Sequence, residues 1–499
     1  MVTSSMEFSD EQEKKKRTIR LFTGYFLIAV IIGLASVILV YVAQGYNYNS
    51  QKGVVREGLV FIESKPVSAH ITLDNKPRGE TSARIVLPEG QHQLTLRRDK
   101  YREWRKDFSL DGGAVLYFLY PKLFPVDIRV GVTKVFPGPP AWVSQSPNRR
   151  WLVMQNDASS SLLNIVDLSK PTQEPTPYVI PTDQLRFENG KLGALKAVEW
   201  SDDNKHLLLS QTMSSGELAY VMMDRENADK TVNITNRLGL VENHEIVLFD
   251  KKYDKYFVHF EAGELTTADL KKGLSETVLL NGVVYFKPYA DNLIAYVTYE
   301  GATPSEAKIY VLNNKTDKYL LRSVTRSADH KYLIDMAKYQ NIWYYIVSSS
   351  ANKRIDIYRN PLKRANPDNR KAIIPQMSLS LENPRYVSFS NNARFVAAQS
   401  GKQFIVYDAE QIRVFRYSSS LNIQPDQQAK WMDGHRLSVV ADSKVHVFEF
   451  DGTNTQTLIS SRPEFEAYFD RDYTYVYTLI AQANGKTGFE FGKLVVDKK

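Results

Sequence analysis

Five aspartates, Asp202, Asp203, Asp329, Asp470 and Asp472, are the residues of this 499-residue chain that most resemble catalytic groups, since paired carboxylates are the machinery of glycoside hydrolysis. Each lies in a Ser/Asp/Asn-rich turn that recurs along the sequence. A catalytic pair is singular, whereas a turn device repeats, so these carboxylates read as turn formers. His244 and His259, fifteen residues apart on strands of one repeat, read as structural rather than as metal ligands. No G-x-S-x-G elbow, H-E-x-x-H pair, EF-hand ladder, phosphate-binding loop or dinucleotide glycine pattern is present. The sequence therefore assigns no catalytic, metal or cofactor-binding residue and no cofactor, and it leaves the ligand-binding residues unidentified.

Composition narrows the classes further. Cysteine is absent, which removes disulfides, thiolate metal sites, Cys nucleophiles and a lipidated N-terminal Cys together. Hydrophobic residues make up 43%, enough for a substantial core, and the 29 Tyr and 23 Phe favour strands. The net charge is +8; the first twenty residues hold five bases and four acids (+1), leaving +7 for the rest. Spread over so long a chain, that excess reads as an ordinary soluble surface.

The aspartate-bearing turns belong to an internal repeat. Trp200-Ser-Asp-Asp-Asn-Lys-His-Leu, Phe389-Ser-Asn-Asn-Ala-Arg-Phe-Val and Phe469-Asp-Arg-Asp-Tyr-Thr-Tyr-Val share one plan: an apolar strand with an aromatic end, a polar turn carrying a base, then a second apolar strand. Further copies begin at Ser146 and Ser327, and looser ones near Asp250, Lys287 and Met432. From Ser146 to Asp470 is 324 residues over seven intervals, about 46 each, the period of a propeller blade. The expected fold is all-β, with residues 122–499 forming a β-propeller of eight blades, seven being the alternative. The run 126–135 is expected to join the last blade and close the ring. The turns resemble the Ser-Pro-Asp-Gly-Lys turn of TolB-like and WD-type propeller repeats. A parallel β-helix, the rival fold, has far shorter repeats.

Ahead of this lies a stretch of short alternating strands with turns at 8–12-residue spacing, the pattern of a small β-sandwich. Its marks are Gly58-Leu59-Val60-Phe61, the break Ser64-Lys65-Pro66, Ile71-Thr72-Leu73-Asp74-Asn75, Gly79-Glu80-Thr81, Leu87-Pro88-Glu89-Gly90, and Lys100-Tyr101 followed by Trp104. Residues 57–121 resemble the PEGA domain family, with Gln91 standing where the name-giving Ala would be. The resemblance implies an accessory β-sandwich of microbial envelope proteins, with protein or glycan contact and no catalysis.

These modules hang from the run 21–43, LFTGYFLIAVIIGLASVILVYVA, which holds no charge. As a helix it spans roughly 35 Å, enough for the ~30 Å hydrocarbon layer. Lys14, Lys15, Lys16, Arg17 and Arg20 stand directly before it, so the positive-inside rule keeps residues 1–20 in the cytoplasm and exports the rest. The run is too long for a cleaved signal core and lacks a small-x-small cleavage site, which makes it a signal anchor whose partner is the lipid bilayer. Residues 44–56 read as a stalk. The expected function is a single-pass, extracytoplasmic binding or scaffold protein of the cell envelope that contacts protein or glycan, not nucleic acid. The alternative is an exported carbohydrate-active hydrolase or lyase with an acidic propeller channel. A deep channel lined by acids would favour the enzyme, and a Lys/Tyr-covered mouth would favour binding. A twenty-residue tail is too small for the output domain of a transmembrane sensor.

Overall fold

The computed structural model describes residues 4–43, 46–49, 53–290, 292–326, 331–367 and 371–496. Strand accounts for about 51% and helix for 10%. The chain is all-β apart from its opening helix, α1 (Ser4–Ala43), and short turns of helix such as Ile234–Arg237. This helix begins at Ser4 rather than at Leu21. The Glu, Gln and Lys residues ahead of the apolar run are strong helix formers and extend a helix already nucleated. None of the apolar segment is covered by the rest of the chain, and Phe22 is 74% and Leu39 67% exposed. The Thr23 and Ser36 hydroxyls donate back to the Ile19 and Ile32 carbonyls, each at 2.8 Å. Their polar atoms are thereby satisfied inside the helix, as apolar surroundings demand.

The chain divides into two compact units, residues 1–126 and 127–499. In the first, two sheets sandwich one core. Lys76–Glu80, His70–Leu73, Gly90–Arg97 and Trp104–Leu110 form one; Tyr46–Asn49, Gly53–Ile62, Ala83–Pro88 and Val115–Phe118 form the other. Val60, Ile62, Ile71, Leu94, Leu96 and Trp104 fill the space between them. Three features depart from the sequence reading. Part of the stalk is a hairpin that pairs Tyr46–Asn49 with Gly53–Arg56 and so extends the second sheet. Asp74–Pro77 reads as a turn in the sequence, but Lys76 and Pro77 open a strand, Lys76–Glu80, exposed at all five positions, an edge that tolerates proline. Finally, residues 122–126 stay with the sandwich rather than opening the propeller: Leu123 plugs its core, and the Val126 N–H bonds the Lys100 carbonyl.

In the second unit eight four-stranded antiparallel sheets follow one another among the described residues. Their first strands are Trp142–Gln145, Ala194–Trp200, His244–Leu248, Val283–Tyr289, Tyr332–Tyr339, Tyr386–Phe389, Lys430–Trp431 and Tyr468–Phe469. Second strands such as Leu207–Leu209 and Val396–Ala398 are buried without alternation, because each sheet is covered on both faces by its neighbours. Leu207, Val221 and Met223 of the second sheet meet Val153 and Leu163 of the first. Tyr256 and Val258 of the third meet Leu208 and Met222 of the second. The ring closes where Tyr477, Leu479 and Phe489 of the eighth sheet pack on Leu152 and Met154 of the first. Closure also borrows a strand: Val130–Phe136 pairs with Thr487–Lys493, so the last sheet is completed by the start of the unit. The sequence placed this strand at 126–135. The repeat copy at Ser327, with Asp329, lies outside the described residues.

Phe489 is fully buried and stacks on Tyr477 with ring centres 5.6 Å apart. Phe489→Ala is expected to lower the stability of the propeller by about 3–5 kcal/mol, through lost burial and a residual cavity at the closure. Urea titration followed by tryptophan fluorescence measures it, and an unchanged midpoint would contradict this packing.

Candidate functional site

Polar links run from sheet to sheet around the inner strands. The Trp200 indole donates to Ser144 Oγ at 3.0 Å, joining the second sheet to the first. Glu199 accepts from the Leu248 N–H, joining second and third. The His259 ring lies 3.0 Å from the Val283 carbonyl, joining third and fourth. Lys287 pairs with Asp335 at 2.8 Å, and Asp335 also accepts from the Phe389 N–H at 3.1 Å, which ties fourth, fifth and sixth. The Trp431 indole donates to Ser388 Oγ at 3.1 Å, repeating the first link between seventh and sixth. Lys430 meets Glu466 at 2.6 Å, and the Gln145 amide donates to the Phe469 carbonyl at 2.8 Å, returning to the first sheet. First strands are therefore neighbours around a central channel, and the circuit fixes which side chains point into it.

The heads of these strands open into a trough. Over the seventh, eighth and first sheets it holds ≈ 660 Å³, walled by the amides of Asn422, Gln424, Gln427 and Gln428 and by Asp426, Asp442, Glu464 and Glu466. A branch of ≈ 440 Å³ follows Ser144, Gln145, Lys196 and Lys430. Over the fourth, fifth and sixth sheets a hollow of ≈ 530 Å³ is walled by Tyr285, Lys287, Lys331, Arg385, Tyr386 and Gln428. Gln428 lines both ends of the trough. Burial, with Asp335 and Glu245 nearby, pushes the Tyr285 phenol up to about 12, so it remains a neutral donor. The three carboxylates on the inner strands all have basic partners: Glu199 has Lys251, Asp335 has Lys287, and Glu245 lies 3.8 Å from His259. The mouth carries lysine, arginine, tyrosine and amides together with Asp426, Asp442, Glu464 and Glu466; Glu464 and Glu466 pair with Arg462 and Lys430, and Asp442 accepts from the Asn422 amide.

The structure disperses the carboxylates singled out from the sequence. Asp203 accepts from the Lys205 and His206 N–H groups at 2.9 and 3.1 Å, and Asp470 from the Tyr475 N–H at 2.8 Å. Asp202 and Asp472 sit in the same turns as these two, in the second and eighth sheets, and Asp329 lies outside the described residues. In two turns the device is identical: Ser146 and Ser390 donate to Asn148 and Asn392 at 2.7 Å, while accepting from Trp151 N–H and Phe395 N–H at 3.0 Å. His244 is buried against Thr235 and the Glu242 carbonyl. Among the described residues no three His, Asp or Glu side chains gather to hold a metal ion.

Sequence reasoning missed a second repeated device. A base before the second strand pairs with an aspartate ending the third: Arg150 with Asp167 at 3.0 Å, Lys205 with Asp224 at 3.1 Å, and Arg394 with Asp408 at 2.7 Å. The aspartate also accepts N–H bonds from the turn that follows, as Asp408 does from Glu410 and Gln411. It missed the mouth as well. The available signal was Lys331-Tyr332 and Arg385-Tyr386, the same base–tyrosine step at the head of consecutive inner strands.

Residues 57–121 match the PEGA domain model. The chain carries a PEGA domain. Within it, His92 ties the turn at Asp74 (2.7 Å) to the Pro88 carbonyl (2.8 Å), while Glu89 meets Arg56 at the surface. No curated protein matches the chain. Among solved structures, the chain is similar to dihydro-heme d1 dehydrogenase NirN in complex with DHE, at 11% identity over 66% of this chain and 68% of that one, with a TM-score of 0.44. It is also similar to Citrobacter koseri AztD, at 11% identity over 74% and 92%, with a TM-score of 0.38. A prolyl endopeptidase is similar at 9% identity over 77% and 55%, with a TM-score of 0.36. The propeller rests on the pairing order above, not on these likenesses.

One histidine makes the propeller pH-sensitive. His435 lies against the rings of Phe395 and Phe450, at 5.5 and 6.4 Å, in the turn that carries Asp433 and Arg436. Burial, opposed by Asp433 and aided by Arg436, pulls the imidazole down to about 4. The unfolded chain therefore takes up the proton first. Stability that is full above the ordinary histidine value falls as pH drops toward 4, by about 2 kcal/mol between pH 7 and pH 5. His244 and His446, also lowered by burial, add to the slope. Urea midpoints at the two pH values check this: His435→Asn is expected to lose less than the parent over the interval, and equal losses would remove His435 from the account.

Proposed function

We propose that the chain is a membrane-anchored binding or scaffold protein that works outside the cytoplasm, with the propeller mouth as its contact surface. The observation that carries this reading is the mouth itself. It is a polar trough of lysine, arginine, tyrosine, amide and acidic side chains, over inner strands whose Glu199 and Asp335 are paired with lysines. Such a surface holds a ligand by charge and hydrogen bonds. The PEGA domain at 57–121 supports a place outside the cytoplasm, next to an envelope protein or glycan.

The anchor is residues 21–43, held in the bilayer. Support comes from the 21–43 part of α1, which is apolar on all sides, uncovered, and preceded in the same helix by Lys14–Arg17 and Arg20. The same flank keeps the N-terminus in the cytoplasm. A signal peptide would leave a free exported chain instead; the length of the apolar run argues against it.

Protease added to intact cells is expected to digest residues 57–499 while an N-terminal tag survives; digestion only after lysis would overturn the topology. A photo-crosslinking residue at Gln428 is expected to capture an envelope component that the same residue at the exposed Lys363 does not. Equal capture at the two positions would remove the mouth as the contact surface.

A further inference from the structure

The two outer faces of the PEGA sandwich differ. On the sheet that holds Trp104–Leu110 the outward positions are polar, with Thr72, Gln93, Arg105 and Asp107 on that side and Leu94, Leu96 and Trp104 turned to the core. The other sheet is apolar on both faces. Val60, Ile62, Leu87 and Phe118 fill the core, and the register sets their alternates in two rows outside. Leu59 stands between Val86 and Val115, and Phe61 between Arg84 and Tyr117. Tyr117 is 56% and Val86 55% exposed. The Phe61 and Tyr117 rings stack with centres 5.1 Å apart, and the Arg84 guanidinium lies over Phe61 at 5.9 Å. Leu119 and Val67, both exposed, follow these strands at the same end. A contiguous apolar surface rimmed by polar residues marks a place of contact.

The path of the chain says with what. Only Gln44 and Gly45 separate Ala43, the end of α1, from Tyr46, so the sandwich starts at most about 11 Å from the span. The Tyr46 and Tyr41 rings meet at 5.2 Å, and Arg56 lies over Tyr46 at 5.3 Å, side chains suited to a membrane–water interface. Tyr46–Asn49 leads away from α1, and Gly53–Ile62 runs back beside it with Arg56 opposite Tyr46. The returning strand does not stop there. It continues to Ile62, which carries Phe61 about 17 Å past the level at which the chain entered. Leu59, Phe61 and Tyr117 therefore occupy the half of the sandwich that returns towards the bilayer. A face tethered this closely meets lipid at a far higher effective concentration than any diffusing partner.

We infer that this outer face, at Leu59, Phe61, Val86, Val115 and Tyr117, rests on the bilayer that holds α1, its apolar rows in the headgroup–acyl boundary and Arg84 extended to the headgroups. This rests on the anchor reading of residues 21–43 and adds a second contact with the same membrane.

The chain has no cysteine, so a nitroxide on one introduced cysteine reports a single position. The full chain is placed in nanodiscs of phosphatidylcholine with a minor share of phosphatidylglycerol, labelled in turn through Tyr117→Cys, Val86→Cys, Leu34→Cys and Ser109→Cys. Electron paramagnetic resonance then reads the access of oxygen, which concentrates in lipid, and of a nickel chelate, which stays in water. Leu34 reports the span, and Ser109, exposed on the sheet with the polar outer face, reports water. The oxygen-to-nickel ratio at Tyr117 and Val86 is expected to be several-fold above that at Ser109, at a depth of about 5–10 Å in the boundary. Circular dichroism of each variant checks the fold, and Val86 stands alone if loss of the Tyr117 ring disturbs it. Water-like ratios at Tyr117 and Val86, with Leu34 in lipid, overturn the inference and leave the anchor in place. Protection of both positions from both reagents overturns it too, because protein then covers the face. A water-like ratio at Leu34 removes the anchor and this inference with it.

Discussion

The second unit depends on one constraint: none of its sheets is complete without the next. Each four-stranded sheet has two apolar faces, and only a neighbour on either side removes both from water. A linear stack would leave two faces exposed, so the chain must return on itself. It does so twice over. The eighth sheet takes its outer strand from Val130–Phe136, and its inner strand receives the Gln145 amide across 324 residues of sequence. The circuit of side-chain links around the inner strands follows from the same geometry. Inner strands lie close together, and a buried polar group there must find its partner on the adjacent sheet.

That constraint explains where the charge is placed. The Asp167, Asp224 and Asp408 carboxylates, each at the end of a third strand, are held by a base from the preceding turn and by N–H groups from the turn that follows. Buried pairs of this kind add little net stability, but a mispaired register would strand a charge in the interior. They therefore specify register in a repeat whose strands are otherwise interchangeable. Lys331 and Arg385 have no such duty. They stand one residue before an inner strand, where a side chain meets the mouth instead of a neighbouring sheet.

Much of this was legible in the sequence because it repeats. The aromatic strand ends at Trp200, Phe389 and Phe469, followed by Ser/Asp turns, gave the period, and the alternating strands between Gly58 and Leu119 gave the sandwich. What was hidden depended on pairing. The paired strands Tyr46–Asn49 and Gly53–Arg56 looked like a stalk because the run is polar and rich in Asn, a turn former, and only their register with each other and the second sheet makes them strand. Lys76–Glu80 was concealed by Pro77, harmless on an edge. Leu123 was assigned to the wrong unit because one apolar residue carries no sign of which core it fills. The mouth was the least legible feature. Beyond the base–tyrosine step at Lys331 and Arg385, nothing in the sequence links these residues to Tyr285 or Gln428, and they converge because each stands just before or within the head of an inner strand.

On the binding reading, an anchor at 21–43 and the mouth bear on each other through affinity. α1 leaves residues such as Phe22 and Leu39 uncovered, an arrangement that water makes costly and a bilayer removes. A polar trough gains little per contact, because water competes for every group it uses. On the binding reading, holding many copies on one surface compensates: once one copy engages a polymer, its neighbours meet the same chain at high effective concentration. Weak, salt-sensitive sites then add up to firm attachment. A monomeric, freely diffusing form of the same propeller would forfeit that gain, which is the physical reason to keep such a trough on a tether.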